Sequence, residues 1–218
     1  MPKQFDLLVF DWDGTLADSA KTIVNALQHG SRDAGAPIPD DAAARGVIGL
    51  GLPEALIKLF PDLDEQARQR VGEGYKYHYH ANEHEVSLFD GVEDAMQAYA
   101  DAGFMLAVAT GKGRNGLNRA MEMSGFGHLF HATRCVDDCF SKPHPQMLEE
   151  IMDELGVMPD KAVMIGDSEF DLQMARNARM PSLGVSYGAM PEEKLVQHAP
   201  LACFDSFAKL HAWLNENA

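Results

Sequence analysis

Apolar and polar positions along this chain follow two rhythms. Leu7-Leu8-Val9-Phe10 is an unbroken apolar run bounded by charge, the pattern of a strand buried on both faces of a parallel sheet. Past Leu16 the rhythm turns helical: Ile23, Ala26, Leu27, Gly30 and Ala34 predict a helix over about 18–34, with Asp18 or Ser19 placed to cap it and Gly35 and Pro37 to end it. Segment 44–53 mixes Gly46, Gly49 and Gly51 with apolar residues and leads into a short helical run through Leu56, Ile57 and Phe60. It suits either a loop reaching across to a ligand or a plain helix-helix connection. Ala67, Val71 and Tyr75 predict a further helix over about 64–80. No strand-like alternation occurs between 18 and 85, so an all-helical insert, readable as a lid, is expected straight after the first strand.

From Phe89 onward helix and strand alternate with short breaks, which predicts repeated βα units and a parallel sheet. Strands are expected over about 105–109, 132–136 and 162–165, then at Ser182–Val185 and Ala202–Phe204. Helices are expected around Val92 to Ala102, around Leu117 to Met121, from Pro145 to Leu155, and near Leu214. The fold class is therefore α/β, a doubly wound parallel-sheet core with a small helical cap. Residues 1–16 and 86–218 are assigned to the core and 17–85 to the cap.

Composition sharpens this picture. A chain of 218 residues with 46% hydrophobic and 23% charged residues can bury one sizeable core carrying an insert. The formal net charge of -15 disfavours nucleic-acid backbone and anionic membrane surfaces as partners, because phosphates would be repelled. An anionic substrate would then need a local positive centre, supplied by a bound cation or placed lysines. No apolar run approaches the roughly 20 residues of a spanning helix, and three cysteines suit free thiols, so a cytoplasmic setting is expected. His78, His80 and His84 are interleaved with Tyr75, Tyr77 and Tyr79 and read as a solvated, aromatic-backed face rather than a metal site.

Candidate chemistry gathers at strand ends. Asp11 and Asp13 follow the first strand, Thr110 and Gly111 the second, Lys142 precedes the helix opened by Pro145, and Asp167 and Asp171 follow 162–165. In a parallel sheet those ends share one edge, so a single crevice can collect them. Hard carboxylate oxygens suit Mg²⁺, while a hydroxyl and an ammonium can hold phosphoryl oxygens.

The strings DWDGTLADS from Asp11, VATG ending at Gly111, FSKPHP around Lys142 and VMIGDSEFD ending at Asp171 resemble the four ordered motifs of the haloacid dehalogenase-like hydrolase superfamily. The resemblance implies that Asp11 is a nucleophile forming an aspartyl-phosphate and that Asp13 is the general acid and base. It further implies that Asp11, the Asp13 carbonyl and Asp167 hold Mg²⁺, that Thr110, Gly111 and Lys142 bind the phosphoryl group, and that Asp171 orients Lys142 or metal-bound waters. The acid at Asp13 is expected for phosphate-ester rather than carbon-halogen cleavage, and Thr15 resembles phosphatases more than sugar phosphomutases. Trp12 stands where Phe is more usual. The layout is similar to phosphoglycolate phosphatases, which implies a small phosphorylated metabolite as partner, read by the cap loop through Arg45, Gly49 and Gly51, in a monomer or homodimer. Lys112 and Arg114 would either reach a substrate carboxylate or be solvated loop charges. The rival expectations are a phosphomutase, a phosphonate hydrolase using Lys58 or Lys76, and a phospho-aspartate signalling module.

Overall fold

The computed structural model describes residues 4–218, so the first three residues assigned to the core lie outside the described residues. Six strands form one parallel sheet in the order β3-β2-β1-β4-β5-β6. They are β1 (Leu7–Phe10), β2 (Met105–Thr110), β3 (Ala132–Cys135), β4 (Ala162–Gly166), β5 (Ser182–Val185) and β6 (Ala202–Phe204). β1 lies between β2 and β4, with Phe10 level with Val108 on one side and Ile165 on the other. The chain builds outward from β1 to β3, then returns to β4 and builds the other way. The strand order therefore reverses at β1 and β4, where the diverging connections leave a crevice at the carboxyl ends.

Successive residues of a strand point to opposite faces, and β1 shows the consequence. Leu8 and Phe10 join a core cluster with α5 (Val92–Asp101), α6 (Arg114–Ser124) and α10 (Phe207–Asn217). Leu7 and Val9 join a second cluster with α7 (Gln146–Leu155) and α8 (Glu169–Asn177). All four residues of β1 are fully buried, so the end of this strand is a fixed point. α6 and α7 stop at Gly125 and Gly156, whose φ values of 77° and 67° are left-handed and end a helix at little steric cost.

Between β1 and α5 the regular elements are all helical: α1 (Ala20–Asp33), α2 (Asp41–Arg45), α3 (Leu52–Leu59) and α4 (Glu65–Asn82), followed by a short 3₁₀ turn. α1 and α4 cross closely because both carry glycine at the contact: a Cβ on Gly74 would lie 2.7 Å from Gly30 Cα. Ser19 is the N-cap of α1, but its hydroxyl makes no capping bond. Asp40 and Asp64 do cap, each accepting from the backbone N–H three residues on at 2.7 Å, at the starts of α2 and α4. A third apolar cluster joins Ile23, Leu27, Ile48, Leu56 and Val71 to Phe170 and Leu172 of α8 and Leu195 of α9 (Glu192–Leu195). The helical segment thus rests on the sheet domain through apolar packing.

Three helices depart from expectation, and α2, five residues long, is one of them, too short for a periodic signal. α8 was not marked by apolar spacing because its apolar residues serve two clusters: Phe170 and Leu172 face the helical segment, whereas Met174 and Ala175 face the sheet. α9 is a single turn, too short for a periodic signal.

Candidate active site

Asp11 is the first residue beyond β1 and is 1% exposed. Its Oδ1 takes an ion-paired hydrogen bond from Lys142 Nζ at 2.8 Å and the Trp12 N–H at 2.7 Å. Its Oδ2 is buried and, among the described residues, has no hydrogen-bond partner. A buried carboxylate oxygen without a partner costs free energy unless a cation or ligand meets it. Burial pushes the Asp11 carboxyl up to about 7, with Lys142 opposing the rise and the Asp171 and Asp13 carboxylates adding to it.

Lys142 arrives on the loop after β3 and is as buried as the acids it meets, with Asp171 Oδ1 at 2.6 Å. Burial alone would disfavour its ammonium, but Asp11 and Asp171 outweigh that and hold it above its ordinary range. Asp171 spends both oxygens inside the protein. Its Oδ2 accepts from Ser168 N at 3.1 Å and Ser168 Oγ at 2.6 Å, closing a capping box on α8. The same side chain therefore fixes the start of α8 and aims Lys142.

Asp167 follows β4 at the crevice. The Ala189 N–H donates to its Oδ2 at 2.6 Å, and Thr15 Oγ1 lies 3.5 Å from its Oδ1. Burial, then the charges of Asp11 and Asp171, raise its pKa well above the usual carboxylate range. Gly14 has φ +80°, and a Cβ there would overlap the Asp167 carboxylate, so this turn needs glycine for both reasons. Ligand oxygens of Asp11, Asp167 and Asp171 lie within 4.8 Å of one another. Three clustered carboxylates, two of them paired with Lys142 and one with an oxygen to spare, fit a divalent cation with oxygen preference.

A cavity of about 760 Å³ opens beside this cluster, and Asp11, Asp13, Thr110, Gly111 and Lys112 line it. Lys112 Nζ donates to both Asp13 oxygens at 3.0 Å and to Tyr79 Oη of α4 at 2.9 Å. It also sits 4.7 Å from the Tyr79 ring centroid. Burial opposes its charge, yet Asp13 and the tyrosines keep it protonated well above its ordinary range. Lys112 is thus a buried partner of Asp13, not a solvated loop charge. Arg114 lies outside the cavity lining and pairs with Asp138 and Thr133.

The glycine loop reaches across rather than merely connecting helices. The Gly51 N–H donates to Ser141 Oγ at 2.8 Å, a Cβ on Gly49 would lie 2.7 Å from Ser168 Oγ, and a Cβ on Gly111 would lie 2.6 Å from the Gly49 and Leu50 carbonyls. Gly49 lines the cavity, while Gly51 anchors the loop next to it. Arg45 does not line the cavity: it ends α2, and the turn after it supplies Val47 and Ile48 to the lining. The cavity lining therefore gives no support to the expectation that Arg45 reads substrate. Trp12 packs against Phe126 and Phe130, with ring centroids 6.1 and 6.3 Å away, which accommodates the larger ring beneath the site.

Sequence reasoning missed Tyr79, Ser141 and the 187–189 turn. Tyr75 and Tyr79, four residues apart on α4, stack at 5.8 Å and line the cavity, and Tyr77, 72% exposed, lines it as well. That spacing was readable as one helix face. The 187–189 turn follows β5, so the strand-end rule that found Asp11 and Asp167 also pointed there.

Residues 8–185 match the family model described as haloacid dehalogenase-like hydrolase. The chain is 32% identical over 214 residues to the probable phosphatase IndB of Dickeya dadantii, covering 94% of this chain and 91% of that protein. It is 31% identical over 211 residues to the phosphoglycolate phosphatase of Agrobacterium fabrum, covering 94% and 90%. The crystal structure of a predicted phosphatase from Clostridium acetobutylicum is similar with a TM-score of 0.87 at 26% identity, covering 98% of this chain and 100% of that one.

Proposed function

Because the chain belongs to the haloacid dehalogenase-like hydrolase family, we propose that it is a Mg²⁺-dependent phosphatase that hydrolyses a small phosphomonoester through an aspartyl-phosphate on Asp11. The observation that carries this reading is the buried Asp11 carboxylate, gripped at Oδ1 by Lys142 and left free at Oδ2 beside Asp167. Asp11, Asp167 and the Asp13 carbonyl would hold Mg²⁺. The bound ion would offset the repulsion between an anionic nucleophile and an anionic phosphoryl group.

An Asp11 oxygen attacks phosphorus, the bond from phosphorus to the ester oxygen breaks, and the departing alkoxide takes a proton from Asp13. Water then attacks the phosphorus of the aspartyl-phosphate, gives its proton to the Asp13 carboxylate, and releases inorganic phosphate with Asp11 restored. Lys142 holds the nucleophile in place, and with the Thr110 hydroxyl it offers positive and donor character to the non-bridging oxygens. Asp171 keeps Lys142 aimed. The helical segment acts as a cap that limits water at the reacting centre.

The rivals draw less support. Lys58 bonds the Gly46 carbonyl at 3.3 Å and lies over the Phe170 ring, away from the cavity lining, so it is a poor Schiff-base candidate for a phosphonate. Lys76 lines the cavity but is exposed. A cavity walled by helices also leaves a signalling partner little access to Asp11. The reading extends to a phosphorylated metabolite as partner in the cytoplasm, without nucleic acid or membrane, as monomer or homodimer. No helix among the described residues is long and apolar enough to cross a membrane.

The test is acid quench during turnover of an aryl phosphate with Mg²⁺, followed by borohydride reduction and peptide mapping. Conversion of residue 11 to homoserine is expected. Turnover with an unmodified residue 11 would exclude the covalent route.

A further inference from the structure

We infer that the substrate is the phosphate ester of an apolar alcohol of at least ring size rather than of a short hydroxy acid, an inference that rests on the phosphatase reading above. The first observation is volume. A cavity of about 760 Å³ sits within the roughly 300–1,000 Å³ range that encloses drug-sized ligands, and a two-carbon acid would leave most of it to water. The second is chemistry. Besides Asp11 and Asp13, the lining includes Ile23 and Leu27 of α1, Ile48 and Leu50 of the glycine loop, Leu52 of α3 and Tyr75 of α4, to which α4 also adds Lys76 and His80. Water against such a wall is unfavourable, whereas an apolar leaving group would displace it.

The third observation concerns cations. A substrate carboxylate within a few bonds of phosphorus needs a positive partner close to Asp13. Lys112, the cation at that position, already donates to both Asp13 oxygens and to Tyr79. Arg119, farther along the lining, is held by a two-pronged pair with Glu83 at 2.8 and 3.1 Å. Lys76 is exposed to solvent, and Arg45 is not part of the lining. A short acid would therefore place its carboxylate beside Asp13 with the nearest ammonium spoken for. An apolar group beyond the ester oxygen meets no such conflict.

The experiment compares kcat/KM, in Mg²⁺, for 2-phosphoglycolate, benzyl phosphate and phenylpropyl phosphate. The two aralkyl esters have poor, alkyl-type leaving groups, so a preference for them reports binding and not easier chemistry. Benzyl phosphate is expected to exceed 2-phosphoglycolate by about tenfold or more, with a further gain of roughly fourfold for each methylene that the wall covers. Leu50→Arg, which puts a cation into the wall, is expected to lower the benzyl-to-glycolate ratio at least about tenfold. The ratio is insensitive to the fraction of folded enzyme. A preference for 2-phosphoglycolate, or a ratio unmoved by Leu50→Arg, overturns the inference and leaves the phosphatase reading standing. Failure to hydrolyse any phosphomonoester with Mg²⁺ overturns both.

Discussion

The two walls of the cavity are built on opposite principles. On the sheet side, Asp11 lines the cavity and belongs to a cluster with Lys142, Asp167 and Asp171; each of the four is at most 1% exposed, and nearly every polar atom is tied to a named partner. On the helical side Ile23, Leu27, Ile48 and Leu52 supply an apolar stretch of the lining with Lys76 and His80 of α4 beside it, and the polar anchors to the sheet domain lie at its edges: Gly51 to Ser141, Tyr79 to Lys112, Glu83 to Arg119 and Lys58 to Glu169. A directional network tolerates almost no displacement, which suits groups that must meet a phosphorus atom in line. Apolar packing tolerates volume-conserving change and can slide, which suits the cap proposed above. Substitutions on the two sides should therefore fail differently.

The sharpest break in that contrast is Asp11→Asn. Loss of the proposed nucleophile is expected to lower kcat by about 10⁴-fold or more, with the protein still folded, as measured by steady-state turnover beside circular dichroism. Lys142→Met comes next. It leaves Asp11 and Asp171 buried without their cation, so a loss of about 3–5 kcal/mol in stability is expected by urea unfolding at pH 8, together with loss of activity. A stability cost below about 1 kcal/mol would show that the network is not the rigid element described here.

Where the two sides meet, Gly111→Ala, one residue beyond β2, drives a Cβ toward the Gly49 and Leu50 carbonyls of the loop. It is expected to raise KM by about tenfold through displacement of the loop, while kcat falls less. A larger fall in kcat than rise in KM would place the loop with the reacting groups. Smallest is Tyr79→Phe, which removes one hydroxyl from Lys112 and leaves the ring and the Asp13 pair. A cost of about 0.5–1.5 kcal/mol and a few-fold change in turnover are expected.

A pH series separates the two sides by another route. Burial raises the Asp11 carboxyl to about 7 and raises Asp167 in the same direction, so the folded protein binds more protons than the unfolded chain above about pH 4. These groups therefore favour folding less as pH rises from about 4 through 7. The metal-free protein is expected to melt at a lower temperature at pH 8 than at pH 6, and Mg²⁺ to raise the melting temperature more at pH 8. Asp11→Asn should flatten that slope, whereas Gly111→Ala should leave it intact.

The sequence by itself determined the parallel sheet and the acidic side of the site. Short buried strands are written as unbroken apolar runs, and a carboxylate placed directly after one must emerge at the sheet's carboxyl edge. Asp11 and Asp167 were legible for that reason, and Lys142 and Asp171 fell in with them through the ordered motifs. α8 was not legible, because its apolar residues divide between two clusters and leave no single stripe. The identity of the wall facing Asp11, the pairing of Lys112 with Asp13 and Tyr79, and the removal of Arg45 from the lining were decided by tertiary structure alone. The reason is one of range: a strand end is fixed by local periodicity, but which cation stays free and which side chains close a cavity depend on how α1, α3 and α4 settle on the sheet. That packing is set by glycine contacts and apolar volume between residues far apart in the chain.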